Sequence, residues 1–214
     1  MRKLLLIFIF LTLMSCDESI KYDGEKRLVF QTVVKDANGT PLPNSYVELM
    51  VSNSYFDGSL ISQGKTDQNG KITLIFPSPE NDPSINLKIY NDNAAYMEKA
   101  VANIKKTDFT DYKFIYQNAF LLKESETATL NLTYSQTTPN TVVKNVGIIG
   151  IYQAFPEFYN YPSDYYEHPF QLSVKKNQSF QLKYTIFNME TLAQTEHIAN
   201  LTIGNDPIDY NINY

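Results

Sequence analysis

Eight aromatic rings crowd the nineteen residues from Tyr152 to Phe170: Tyr152, Phe155, Phe158, Tyr159, Tyr161, Tyr165, Tyr166 and Phe170. Pro156, Pro162 and Pro169 interrupt them, and Glu157, Asp164, Glu167 and His168 lie among them. Prolines at that density prevent a long helix or a central strand, which predicts a loop between strands over 152–170. Loops carry function more often than the strands that hold them, and a tyrosine offers a large rigid contact area at little entropic cost. The chemistry is recognition. Ring faces would stack on a sugar or a partner protein, and carboxylates would accept hydrogen bonds from hydroxyls. The candidate binding residues are Tyr152, Phe155, Phe158, Tyr159, Tyr161, Tyr165 and Tyr166. The same rings would equally serve to pack the loop onto its own sheet or to fill an interface between domains, and sequence leaves both readings open.

Little else on the chain has the spacing that catalysis needs. The two histidines, His168 and His197, belong to no His-x-x-x-His or His-Glu-x-x-His pattern that would hold zinc. There is no Gly-x-Ser-x-Gly elbow, phosphate-binding glycine loop or dinucleotide fingerprint. Two Asp-x-Asn-Gly runs, beginning at Asp36 and Asp67, raise the question of calcium. An EF-hand loop requires a carboxylate at its twelfth position, and here that position is Val47 or Ser78. The expectation is a non-enzyme with no catalytic residues, no metal and no cofactor.

Cys16 is the only cysteine, so no internal disulfide can form. It follows Arg2, Lys3 and an apolar run from Leu4 to Met14 broken only by Thr12. That run is shorter than the roughly 20 residues a membrane span requires, and reads as a secretion signal over residues 1–15. These residues resemble a bacterial lipoprotein signal, which implies cleavage before Cys16 and acylation of its thiol. The resemblance implies membrane attachment through lipid and a place in the cell envelope at the outer membrane. Residues 16–26 are polar and would form a tether of up to about 36 Å. Asp17 and Glu18 are solvated linker charges or part of a sorting signal.

Net charge is −5, and becomes about −7 once Arg2 and Lys3 leave with the signal. Lysines and arginines are scattered, whereas a nucleic-acid surface needs them clustered to displace counterions, so no nucleic-acid partner is expected. Sixteen tyrosines, thirteen phenylalanines and only 19% charged residues favour strands over helix or disorder.

From Leu28 the chain alternates short apolar periods with turn chemistry. Leu28 to Lys35 reads as a strand and Asp36-Ala37-Asn38-Gly39 as a turn. Val47, Leu49 and Val51 share one face of the next strand. Asp67-Gln68-Asn69-Gly70 turns the chain into Lys71 to Phe76, and Ile85, Leu87 and Ile89 form another alternation. Ala94 to Lys106 has helical spacing at Met97, Val101 and Ile104. Lys113 to Tyr116 and Phe120 to Leu122 are strand-like.

The run Val33 to Val47, with its turn and Pro41-Leu42-Pro43 step, followed by Gly64-Lys65-Thr66-Asp67-Gln68-Asn69-Gly70-Lys71-Ile72, resembles the carboxypeptidase regulatory-like domain. Ala95, before Tyr96, departs from the Gly-Tyr step common in that family. The resemblance implies a transthyretin-like β-sandwich of about seven strands over 27–123, a strand for Ala94 to Lys106, and an accessory role without an active site.

Lys123 to Glu126 is a polar break. Beyond it Ala128, Leu130, Leu132 and Tyr134 alternate with polar residues, as do Phe180, Leu182, Tyr184 and Ile186, and Ile208, Tyr210 and Ile212. Val142 to Tyr152 contains Gly147 and Gly150, which points to a bulge. Five or six such strands over 124–214 predict a second, immunoglobulin-like sandwich. The expected fold is all-β: two sandwiches joined in series, acting as a non-catalytic binding or assembly module for an envelope protein or glycan. A structural spacer within an outer-membrane complex is the alternative; a small hydrolase is a distant third.

Overall fold

Residues that alternate between water and oil along a strand need a second sheet to cover the apolar side, and this chain builds that arrangement twice. The computed structural model describes residues 20–52, 58–153, 157–158 and 170–214. The first seven strands are β1 (Tyr22–Val33), β2 (Tyr46–Ser52), β3 (Ser59–Lys65), β4 (Lys71–Pro79), β5 (Ser84–Tyr90), β6 (Lys99–Ile104) and β7 (Lys113–Tyr116). They form one sheet in the order β4-β1-β7 and a second in the order β6-β5-β2-β3. Phe30, Val47, Leu49, Leu74, Phe76, Ile85, Leu87 and Phe114 meet between the layers. Burying each such side chain is worth about 1.5–3 kcal/mol before the cost of ordering it.

The remaining strands are β8 (Thr127–Ser135), β9 (Thr141–Ile149), β10 (Tyr152–Gln153), β11 (Glu157–Phe158), β12 (Phe170–Lys175), β13 (Gln178–Asn188), β14 (Gln194–Ile203) and β15 (Ile208–Asn213). Sheets β10-β12-β8-β15 and β14-β13-β9 enclose a second core of Leu130, Leu132, Val143, Val174, Phe180, Leu182 and Ile212. In each sandwich the first strand lies parallel to the last, β1 against β7 and β8 against β15. Among the described residues no helix is long and apolar enough to cross a membrane.

The two Asp-x-Asn-Gly turns are built alike. Asp36 Oδ1 accepts from the amides of Asn38 and Thr40, and Asp67 Oδ1 accepts from those of Asn69 and Lys71. Gly39 and Gly70 close them at φ +85° and +69°, the left-handed region that glycine enters without penalty. Both aspartates serve their own turns.

Several strands fall where the sequence pattern pointed, and others do not. Strand β1 begins at Tyr22 rather than Leu28, so part of the expected tether lies on the sandwich. The Lys21 carbonyl accepts from the Glu80 amide, and residues 23–26 bulge out between the pairs Tyr22–Pro79 and Arg27–Pro77. Ala94 to Lys106 contains strand β6, as the resemblance implies, rather than the helix its spacing also allowed. Phe120 to Leu122 is not a strand: Leu121 and Leu122 are fully buried in irregular backbone tied to Lys35 through two amide hydrogen bonds. Among the described residues the second sandwich has seven strands rather than five or six. The expected bulge lies in β9, where three steps from Lys144 to Gly147 oppose two from Lys183 to Thr185, with Asn145 at φ +53°.

Candidate functional site

The aromatic stretch leaves the second sandwich, touches the first and returns. Tyr152 and Gln153 pair with Val174 and Ser173 as β10. Four residues on, Glu157 and Phe158 lie parallel to Val101 and Ala102, adding β11 to the outer edge of the five-stranded sheet of the first sandwich. Phe170 rejoins the second sandwich opposite Leu132. The reading of 152–170 as loop is therefore corrected at both ends, since two short strands and the start of a third lie inside it.

A buried polar cluster holds this crossing. Lys99 opens β6 on the edge nearest β11 and is 1% exposed. Its Nζ donates to Glu157 Oε2 at 2.5 Å and to the Tyr152 carbonyl oxygen at 3.3 Å. The ammonium also lies 5.3 Å from the centre of the Tyr152 ring, a cation–π distance. Tyr116, buried at the end of β7, donates its hydroxyl to the same Glu157 Oε2 at 3.1 Å. Gln153 completes the seam by donating its side-chain amide to the Glu98 carbonyl, and Glu98 pairs with Lys88 at 3.1 Å.

Removing a charge from water costs several kcal/mol, and such a charge persists only when paired and hydrogen-bonded. Lys99 has a carboxylate, a carbonyl and a ring face; Glu157 has an ammonium and a phenol. Burial, followed by the neighbouring Glu157 charge, pushes the Tyr152 hydroxyl well above the ordinary tyrosine value. A neutral phenol is thus retained beside a carboxylate. The cluster is sealed, and its chemistry is that of holding two parts of the chain together.

The predicted binding residues divide accordingly. Tyr152 packs against the second core and is part of the seam, not an open platform. Phe158 lies on β11. Phe155, Tyr159, Tyr161, Tyr165 and Tyr166 lie outside the described residues, as do Cys16 and His168. His197 stacks on Tyr184 at 5.1 Å between ring centres. Sequence reasoning passed over Lys99, Tyr116 and Gln153. The available signal was a lysine inside the apolar run Lys99-Ala100-Val101-Ala102-Asn103-Ile104, where a strand buried on both faces has no ordinary place for a charge.

No family model and no curated protein matches this chain. Among solved structures it is similar to the SpaA shaft pilin of Lactobacillus rhamnosus GG, at 9% identity over 86% of this chain and 96% of that one, with a TM-score of 0.35. The tip fimbrial protein Mfa3 of Porphyromonas gingivalis is similar at 10% identity over 81% of each chain, TM-score 0.30. A 3-chlorocatechol 1,2-dioxygenase of Rhodococcus opacus 1CP is similar at 15% identity and TM-score 0.34, over 50% of this chain. The chain spans less than two thirds of that dioxygenase, 62% of its length. The functional reading rests on this chain's own residues.

Proposed function

We propose that this chain is a lipid-anchored cell-envelope protein of the outer membrane that acts as a non-catalytic binding or assembly module, with the stretch 152–170 as its contact element. The leader and the single cysteine support acylation at Cys16. The likeness of residues 27–123 to the carboxypeptidase regulatory-like domain supports an accessory module, and the seven strands of the first sandwich are the number which that likeness implies.

The observation that carries the reading is the seating of the aromatic stretch. The part that follows Tyr152–Gln153 is held on different sandwiches at its two ends, by Glu157–Phe158 beside Val101–Ala102 and by Phe170 opposite Leu132. An element fixed at both ends loses less entropy when its rings engage a partner than a free loop would. The chain between those ends carries Tyr159, Tyr161, Tyr165 and Tyr166, residue types that suit a glycan or a protein surface.

The test compares the full chain, solubilised from the native host, with a variant carrying alanine at those four tyrosines. Capture of defined envelope glycans or proteins by the natural chain, and its loss in the variant, supports the contact role. Equal capture by both refutes it and leaves the spacer reading, in which the stretch serves only to brace the sandwiches. The anchor is tested separately: Cys16→Ala moves the protein out of the membrane fraction if the thiol is acylated.

A further inference from the structure

A cleft of about 380 Å³ opens on the first sandwich where the β1 bulge faces the turn before β7. That volume lies in the range of small-molecule sites, about 300–1,000 Å³. Buried Leu28, Phe109 and Pro79 contribute apolar lining. The polar residues of the lining include Asp23, Lys26, Glu80, Lys106 and Asp111.

Tyr112 is also part of the lining and is 56% exposed. It occupies the second central position of a two-residue turn, with the Lys113 amide donating to the Thr110 carbonyl at 2.9 Å. Asp111 and Tyr112 adopt φ +50° and +62°. That backbone suits Asn-Gly and costs a tyrosine about 1–2 kcal/mol. More than half of the residue stays in water, so burial offsets only part of this cost.

The charged groups are only partly committed. Lys106 Nζ donates to the carbonyls of Pro79 and Glu80 at 3.1 Å each, which leaves one of its three N–H donors. The carboxylates of Glu80 and Asp111 make no hydrogen bond or ion pair among the described residues. Three acids against two lysines disfavour an anion. Among the described residues no set of three metal-ligating side chains converges. Asp23 and Lys26 pair with each other at 3.6 Å, and a neutral ligand rich in hydroxyls suits the groups that remain, since each hydroxyl both accepts from the Lys106 ammonium and donates to a carboxylate while a ring face stacks on tyrosine.

We propose that this cleft binds a neutral saccharide, with one sugar ring stacked on Tyr112 and its hydroxyls shared between Glu80, Asp111 and Lys106. This proposal does not depend on the role of the aromatic stretch.

The experiment is calorimetric titration of the full chain, in a detergent without a sugar headgroup, with glucose, galactose, N-acetylglucosamine and their short β-linked oligomers. Inorganic phosphate is the control. At least one saccharide binds and phosphate does not. Tyr112→Gly removes the ring while easing the backbone, so Tm holds or rises as affinity falls by about tenfold or more. Glu80→Gln, on an exposed residue, weakens binding without unfolding the protein. Alanine at the four tyrosines of the aromatic stretch leaves the titration unchanged. Absence of saccharide binding by the natural chain, or equal binding by Tyr112→Gly, overturns the proposal.

Discussion

Lys99 and Glu157 lie 58 residues apart in sequence and 2.5 Å apart in space, one in the first sandwich and the other on the stretch that leaves the second. Each is almost wholly removed from water, with side-chain exposures of 1% and 8%. The pair fastens β11 to β6, and through the Tyr152 carbonyl it reaches β10 as well.

Breaking that pair from one side leaves a buried charge without its partner. Lys99→Met is expected to lower the unfolding free energy by about 3–5 kcal/mol, and Glu157→Leu by a similar amount. The double variant Lys99→Met/Glu157→Leu recovers much of the loss, because no lone charge remains. Urea denaturation of the three variants checks this. If the double variant is as unstable as the sum of the singles, the two residues are not coupled.

The two aspartate turns should respond differently to the same change. Gly39 at φ +85° has open space around its Cα, so Gly39→Ala carries only the backbone penalty of about 1–2 kcal/mol. A Cβ on Gly70 would lie 2.4 Å from the Val34 carbonyl oxygen and 3.1 Å from the Leu42 amide nitrogen. Gly70→Ala must therefore displace backbone and cost clearly more. Thermal unfolding of the two variants side by side decides the matter.

Tyr90 donates its hydroxyl to Glu48 Oε1 at 2.8 Å while its ring stacks on Tyr46. The bond to Glu48, with some desolvation, raises its pKa from 10.0 to about 12. Because the folded value lies above the unfolded one, the stabilising contribution is complete below pH 10. It is lost as pH rises from about 10 to 12. Tyr184 is also raised to about 12, so ring-labelled tyrosine NMR should show two resonances titrating there, of which the Tyr90 one disappears in Tyr90→Phe and moves toward 10 in Glu48→Ala. A Tyr90 resonance titrating at 10 in the natural chain contradicts the assignment.

Leu121 shows that burial does not require a strand. It is fully buried in irregular backbone, with its amide donating to the Lys35 carbonyl at 2.9 Å. Leu121→Ala should cost about 2–5 kcal/mol, as for a core leucine. A change below 1 kcal/mol in chemical denaturation would show that the site collapses around the smaller side chain.

Strands with one face in a core and one in water were legible because each residue's type reports its side. Val47, Leu49 and Val51 are fully buried, as are Leu130 and Leu132, and the residues between them are only half-buried. Strand β12 carries the same alternation in Phe170, Leu172 and Val174, and only its first residue falls within 152–170. Strand β14 faces inward through His197, Ala199, Leu201 and Ile203 while Ile198 is 48% exposed, so its pattern is diluted at both faces. Strand β3, at a sheet edge, buries too little to impose any alternation.

By itself the sequence determined an all-β chain, the positions of its two aspartate turns and the alternating strands, because these depend on neighbours one to four residues apart. Backbone torsion and the two-residue period of a strand are local properties. The partner of Lys99, the docking of Glu157 on β6 and the cleft beside Tyr112 were decided only by the tertiary structure. Each joins residues tens of positions apart. A buried charge is tolerable only where distant segments bring it a counter-charge and acceptors together, and no local pattern records that meeting.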